Sequence, residues 1–379
     1  MSVKVKDVLN LSIFKNNDTG VVAGKDGLNR IIRRVSVFDC PIGNDVVSKN
    51  IVGMGDFFVT SLFVVKNNLK EMIKLFEIII SAEASGICVI NEFIHNFPKQ
   101  IIQLANENSF PVFLIDSDIP YGDIIKDIME LIIKDKEDTI NEMKIKEILV
   151  TDNYEKIIQT AYEINSNFMN NYIVFYLKNI NDRSNIEYIV ENINSKSKQS
   201  ALKYENGVIL VISDEDIAEL KNKSNYIQDL INSTCSDYIL GISDYQEHLK
   251  NFKKAIIQAT RSCSLTSILD KKVVNYNELG VYSILLPLKN SVELNEFYNN
   301  IVLPIKMYDE KLNINLLETA VTFIDNDGNY KNVSQIMHQH ENTIRYRIFK
   351  IKELLNMVNK EIDFYAQLYL MAKIYKIIT

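Results

Sequence analysis

Apolar positions in the first third of the chain follow two rhythms. "RRVSVFD" and "DFFVTSLFVV" predict strands, and "GICVI" and "FPVFLI" predict buried ones, because β-branched and aromatic residues crowd short runs bounded by turn formers. Between them "NLKEMIKLFEIIISAEA" repeats its apolar residues at helical spacing. This alternation predicts an α/β domain with a largely buried sheet, whose ligands belong at the loops beyond the strand ends. Next, "IPYGDIIKDIMELIIK" places Ile124, Ile125, Ile128 and Ile132 at helical spacing before the charged "KDKEDTINEMKIKE". We read this as one long helix leaving the first domain and packed on it, with a dimer-forming coiled coil as the alternative.

The middle of the chain has a different pattern. "NYIVFYLKNI", "SALKYENGVILVIS" and "YILGIS" predict strands, and "NFKKAIIQATRSCSL" predicts a helix. Asn206-Gly207 between two apolar runs predicts a hairpin with a type I′ turn, whose central residues both need positive φ. Beyond Pro287 the pattern is helical to the end. The expected domains are residues 1–140, 141–287 and 288–379.

Near the C-terminus, "NINLLETAVTFIDNDGN" predicts a helix with Leu316, Leu317, Ala320, Val321 and Ile324 on its apolar side, stopped by Gly328. Asn332 is the expected cap of a short helix, "VSQIM". After a turn at His338 to His340 comes an amphipathic helix, with Ile344, Ile348, Ile351 and Leu355 on one face. Asn342, Tyr346, Phe349 and Lys350 fall opposite, and Arg345 and Arg347 lie on the flanks. Two short helices joined by a tight turn, the second basic on its outer side, predict a helix-turn-helix.

Charge sharpens that reading. The chain has 42 basic and 49 acidic side chains, net −7, which excludes a globally basic nucleic-acid coat but not a local basic patch. From Lys331 to Lys352 five cations face one acid, Glu341. Neutralising phosphates with such cations releases counterions, so binding would weaken steeply with salt. Cys40, Cys88, Cys235 and Cys263 are scattered without a CxxC pair, which suits buried thiols in a reducing cytoplasm. No window approaches the roughly 18 apolar residues of a membrane span, and "MSVKVKDVLNLS" lacks the apolar core of a signal peptide. A cytoplasmic protein with no membrane contact is expected.

These residues carry a family resemblance. "LLETAVTFIDNDGNYKNVSQIMHQHENTIRYRIFKIKELL" resembles the DNA-binding module of the purine-catabolism regulator (PucR) family, including its Asn-Thr-x-Arg-Tyr-Arg core. "VVAGKDGLNRIIRRVSVFDCP" followed by "GDFFVTS" resembles the family's sensory domain. "YILGISDYQEHLKNFKKAIIQA" and "NYNELGVYSILLPL" resemble its degenerate GGDEF-like domain. The resemblance implies an α/β sensory domain, an α+β GGDEF-like central domain and an all-α helix-turn-helix domain. It also implies a regulator of purine or other nitrogen or carbon catabolism genes, responsive to a purine catabolite or related metabolite, that reads an operator in double-stranded DNA.

Within the matched motif, Asn342, Thr343, Arg345 and Tyr346 are expected at base edges or the nearest phosphates, since Arg suits guanine and Asn suits adenine. Arg347, Lys350 and Lys352 are expected at phosphates, and His340 either caps the helix or meets one. The candidate effector residues are Arg33, Arg34, Asp39, Asp56, Thr60 and Ser61. A homodimer or higher homo-oligomer is expected, because two-fold operators mirror two-fold proteins.

Two rival classes are a nucleotide cyclase and a metabolite-binding protein with no DNA role. In "YENGVIL", Gly207 and Val208 stand where a cyclase needs metal-binding acids, and "YIVFYLKNIND" lacks the expected Asp. No enzyme activity, metal or cofactor is expected.

Overall fold

The computed structural model describes residues 3–15, 20–38, 52–179, 183–312 and 314–378. The chain divides into two compact units, Met1–Met143 and Lys144–Thr379.

The first unit is built on β1 (Gly20–Ala23), β2 (Arg34–Val37), β3 (Asp56–Thr60), β4 (Gly86–Ile90) and β5 (Val112–Ile115), in the order β1-β5-β4-β3-β2. Strands β2 to β5 pair in parallel, and β1 runs antiparallel to β5. Because side chains alternate along a strand, the buried runs feed two cores. Phe58, Ile87, Val89 and Val112 share one with Leu75, Phe76 and Ile101. The last three belong to α3 (Leu69–Ser81) and α4 (Lys99–Glu107), placed here after two four-residue helices, α1 (Val5–Val8) and α2 (Ser12–Lys15). Phe57, Val59, Cys88, Ile90 and Phe113 face the other way, onto Val5, Val8, Phe14, Ile124, Ile128 and Ile132.

One detail differs from the sequence pattern, and the long helix follows it. The strand expected over "DFFVTSLFVV" stops at Thr60, because Leu62 is left-handed at φ 56° and Phe63–Val65 coils into a 3-10 turn. The long helix α5 (Tyr121–Val150) runs through its charged stretch without a break. Polar composition alone did not end it, since no Pro or Gly falls within that stretch.

The second unit opens with α6 (Tyr154–Ile164), then β6 (Asn171–Asn179), α7 (Arg183–Asn194), β7 (Gln199–Tyr204), β8 (Gly207–Asp214), α8 (Ile217–Thr234) and β9 (Tyr238–Ile242). The order β9-β6-β8-β7, all antiparallel, is the split βαβ arrangement of an α+β layer. Strand β10 (Gln246–Glu247) pairs with β6, and after α9 (Phe252–Ser264) and α10 (Thr266–Leu269) strand β11 (Val273–Asn275) joins β9 in parallel. Tyr172, Val174, Tyr176, Ile209 and Val211 pack on α6 and α9, while Ile173, Phe175, Leu177, Val208 and Leu210 pack on α7 and α8.

The β7–β8 turn corrects the hairpin expectation by one residue. Tyr204 pairs with Gly207, so the central residues are Glu205 and Asn206, and of these Glu205 is left-handed at φ 50°. Gly207 is required by space, not by φ: a Cβ there would lie 2.7 Å from the Leu177 carbonyl oxygen and 2.8 Å from the Tyr176 ring.

The remaining elements are α11 (Tyr282–Leu285), α12 (Val292–Phe297), a π-helical turn over Tyr298–Val302, α13 (Leu303–Leu312), α14 (Leu316–Asp325), α15 (Tyr330–Ile336), α16 (Glu341–Leu354) and α17 (Glu361–Ile378). Their core gathers Leu316, Ala320, Phe323, Val333, Ile344, Ile348, Ile351, Phe364 and Leu368. A second cluster joins Leu265, Val274 and Leu279 to Ile374 and Ile377, so packing runs continuously past residue 287 within this unit.

Among the described residues, Cys88, Cys235 and Cys263 are buried and in no disulfide, and burial pushes the Cys263 thiol up to about 11. No helix of the described residues is long and apolar enough to cross a membrane.

Candidate nucleic-acid interface

Three helix ends shape this site, and all use the same termination. In α14, the amide of Asp327 donates to the Ile324 carbonyl and that of Gly328 to the Phe323 carbonyl, at 3.2 and 2.9 Å. This is a Schellman stop, and its left-handed residue is Asp327 at φ 53°, with Gly328 (φ 73°) one position later. Helix α15 is capped by Asn329, whose side chain accepts from the Asn332 amide at 3.2 Å; Asn332, the expected cap, is the donor.

The turn between α15 and α16 repeats the device. His338 is left-handed at φ 52°, its amide donates to Gln335, and the Gln339 amide donates to Ser334 at 3.0 Å. His340 then caps α16, its Nδ1 accepting from the Asn342 amide at 3.2 Å. A third stop follows α16, with Asn356 left-handed at φ 55° and the Met357 amide donating to Lys352 at 2.9 Å.

Helix α16 buries Ile344, Ile348 and Ile351, the face that the 3.6-residue period predicts, with Leu355 partly covered. Asn342, Arg345, Tyr346 and Phe349 form a continuous outward strip. Tyr346 and Phe349 are 55% and 48% exposed, values that leave both rings free to meet a ligand surface. Thr343 is half-buried beside them. From α15, Ile336 adds an exposed apolar side chain.

The cations are less free than their charge suggests. Arg345 holds Glu341 through Nη2 at 2.6 Å and Nε at 3.1 Å, and its guanidinium lies 4.1 Å from the Tyr330 ring centre. Burial, more than any neighbouring charge, pushes the Tyr330 phenol up to about 12. Lys350 pairs with Glu353 at 2.9 Å, which raises its ammonium above the ordinary lysine value.

Two positions correct the expectation of outward charge. Arg347 turns toward α14, where Nη1 donates to Thr319 Oγ1 at 3.1 Å, and its buried Nε has no partner among the described residues. Lys352 is largely covered: it approaches Glu361 at 3.7 Å and lies 5.3 Å from the Phe364 ring centre. Lys331, counted in the local charge but not singled out, is exposed and makes no ion pair among the described residues.

The candidate effector residues do not converge. Asp39 and the "CPIGND" loop lie outside the described residues. Asp56 is buried at the start of β3, where Arg34 grips it at 2.8 and 2.6 Å and the Gly53 amide donates at 2.9 Å. Arg33 is exposed beside it, its stem packed over Gly55. Thr60 and Ser61 are buried at the other end of that strand, about 13 Å away at roughly 3.3 Å per residue. The Thr60 hydroxyl donates to the Phe38 carbonyl and accepts from the Leu62 amide at 3.0 Å. Beside it a cavity of about 10 Å³, lined by Phe38, Thr60, Leu62 and Leu75 among others, has room for no more than a water.

This geometry, two short helices at a left-handed turn with an aromatic and polar strip facing out, is that of a helix-turn-helix transcriptional regulator. Residues 316–374 match the PucR C-terminal helix-turn-helix domain, and residues 7–132 match the Purine catabolism regulatory protein-like family. Over these two segments the chain is similar to PucR-type DNA-binding transcriptional regulators.

Three relatives come from Bacillus subtilis (strain 168). The chain is 24% identical to the Proline-responsive transcriptional activator PutR over 307 residues, 76% of this chain and 72% of that one. It is 26% identical to the Purine catabolism regulatory protein over 32% of this chain and 22% of that one. It is 28% identical to the DNA-binding transcriptional activator AdeR over 27% of this chain and 25% of that one. Among solved structures, the Regulator of Polyketide Synthase Expression from Bifidobacterium adolescentis aligns with 61% of this chain and 98% of that one, at 13% identity and a TM-score of 0.29.

Proposed function

We propose that this protein is an effector-responsive regulator that reads operator DNA with α16, working in the cytoplasm as a homodimer or higher homo-oligomer. The observation that carries this reading is the outward strip Asn342, Arg345, Tyr346 and Phe349, backed by three buried isoleucines. A helix so backed can lie in a major groove and present donors and rings to base edges. Arg345, Asn342 and Tyr346 contact bases, while Lys331 and Lys350 sit at phosphates.

The effector is a purine catabolite, an amino acid or a related metabolite, and the regulated genes serve nitrogen or carbon catabolism. Two relatives, one proline-responsive and one a purine catabolism regulator, support that range. Residues 141–287 form a degenerate GGDEF-like domain that transmits and does not catalyse. The tight space at Gly207 supports this, since a carboxylate side chain there would collide with Leu177 and Tyr176.

The deciding experiment is fluorescence anisotropy with duplexes tiled across the DNA upstream of the protein's own gene and its neighbours. Sequence-selective binding by the full chain, lost in the Arg345→Ala, Tyr346→Ala double variant with its melting temperature unchanged, is expected. Equal binding to every duplex, or to none, sinks the proposal. A thermal-shift screen of proline, other amino acids, sugar acids and purine intermediates then seeks the effector, because a ligand of the native state raises its melting temperature.

A further inference from the structure

A cluster of positive charge in the second unit lies away from the helix-turn-helix. Around the first turns of α9 is a hollow of about 470 Å³ lined by Lys250, Lys253, Lys254 and Arg261, with Asp152 as its one carboxylate. Tyr154 and Tyr276 complete its rim. That volume falls within the usual range for small-molecule sites, roughly 300–1,000 Å³.

The charge here is not accounted for by stability. Helix α9 spans Phe252–Ser264 and contains Lys253, Lys254 and Arg261 but no acidic residue, so no internal pair offsets them. Lys253 and Lys254 occupy the first turn, where the helix dipole disfavours cations, and the Asn251 side chain makes no capping bond. Only Lys253 is neutralised, by Asp152 at 2.7 Å; Lys250, Lys254 and Arg261 make no ion pair among the described residues. Arg261 is half-buried, so its charge is directed into the hollow's surroundings and not spread in solvent. Lys250 and Lys254 are exposed and Arg261 is half-buried, so the three unpaired cations are available to an anion entering the hollow.

We propose that this hollow binds a small phosphate-bearing molecule. Arg261 offers the forked donors that match phosphate oxygens, Lys250 and Lys254 supply point charges, and the two tyrosine rings flank the remainder of the ligand. A concave hollow closed by α6 on one side suits a small molecule better than the long ridge of a duplex backbone. The site is separate from α16 and gives the central layer a ligand of its own.

Calorimetric titration of the full chain with sodium pyrophosphate at constant ionic strength tests this. Saturable binding at one site per chain is expected, weakened about tenfold or more in Lys254→Ala, Arg261→Gln and unchanged in Lys196→Ala, Lys198→Ala on a different face. Should the double variant melt early, the exposed Lys254→Gln alone must still weaken binding. Absence of saturable heat, or equal affinity in all variants, overturns the proposal. So does loss of duplex DNA affinity in Lys254→Ala, Arg261→Gln without any pyrophosphate binding, which would make this face a DNA surface.

Discussion

Arg347 donates to the Thr319 hydroxyl across 3.1 Å, and so the second arginine of the Arg-Tyr-Arg core ties α16 to α14. The Thr319 hydroxyl in turn donates to the Asn315 carbonyl at 2.6 Å, so one chain of bonds fixes α16 to α14. Arg347→Ala removes the bond and the packing of the side chain's stem. We expect a loss of about 1–2 kcal/mol of stability, seen as a lower denaturant midpoint with unchanged slope. Arg345→Ala should leave the midpoint almost unmoved and weaken operator binding. The reverse ranking would show that Arg347 is the DNA contact.

If α16 reads DNA as proposed, two of its own carboxylates should compete with DNA for its cations. Glu341 holds Arg345 at 2.6 Å and Glu353 holds Lys350 at 2.9 Å, both on exposed surface. Exposed pairs of this kind contribute only about 0–1 kcal/mol, so removing them hardly affects folding. Glu341→Gln, Glu353→Gln should bind duplex DNA more tightly, and the slope of log affinity against log salt should steepen. Lys331→Ala should reduce that slope by about 1, the value of one phosphate contact. Slopes identical in all three proteins would remove these side chains from the interface.

The helix-turn-helix turn is held by a strained residue. His338 sits at φ 52° at the position where helices most often place glycine. A left-handed conformation disfavours residues with a Cβ by about 1 kcal/mol. His338→Gly should therefore raise stability by roughly 0.5–1 kcal/mol in urea titrations, despite the added freedom of the unfolded chain. Destabilisation instead would mean that the exposed imidazole makes a contact that outweighs the strain.

Much of this site is legible in the chain itself, and the part that is not has a physical reason. The burial of Ile344, Ile348 and Ile351 follows from spacing within one helix, so periodicity suffices. Arg345 and Lys350 have local partners in Glu341 and Glu353, but the fate of the other two cations depends on residues farther off along the chain: Thr319 for Arg347, and Glu361 and Phe364 for Lys352. A charge count over one short stretch misses those more distant partners. The turn at Glu205 shows the same limit, because Gly207 answers to the neighbouring strand's Leu177 and no sequence window contains that contact. In the first unit, Asp56 and Thr60 are close in sequence, but a strand carries them to opposite ends of the sheet.

Acid should weaken the second unit through two carboxylates held below their ordinary range. Lys223 bonds Asp214, and Lys271 with Asn275 bonds Glu278; in each the hydrogen bond from lysine is the largest cause of the depression. A depressed folded-state value means that the unfolded chain binds the proton first. The stabilisation is therefore complete above the unfolded carboxylate range, near pH 4, and disappears as pH falls through the folded values. Asp214→Asn and Glu278→Gln should each flatten the acid limb of a plot of unfolding free energy against pH, with little change in the plot's shape above pH ~6. Both groups are near the surface, so the flattening should shrink in high salt. An acid limb that keeps its slope in the double variant would mean that other carboxylates govern acid unfolding.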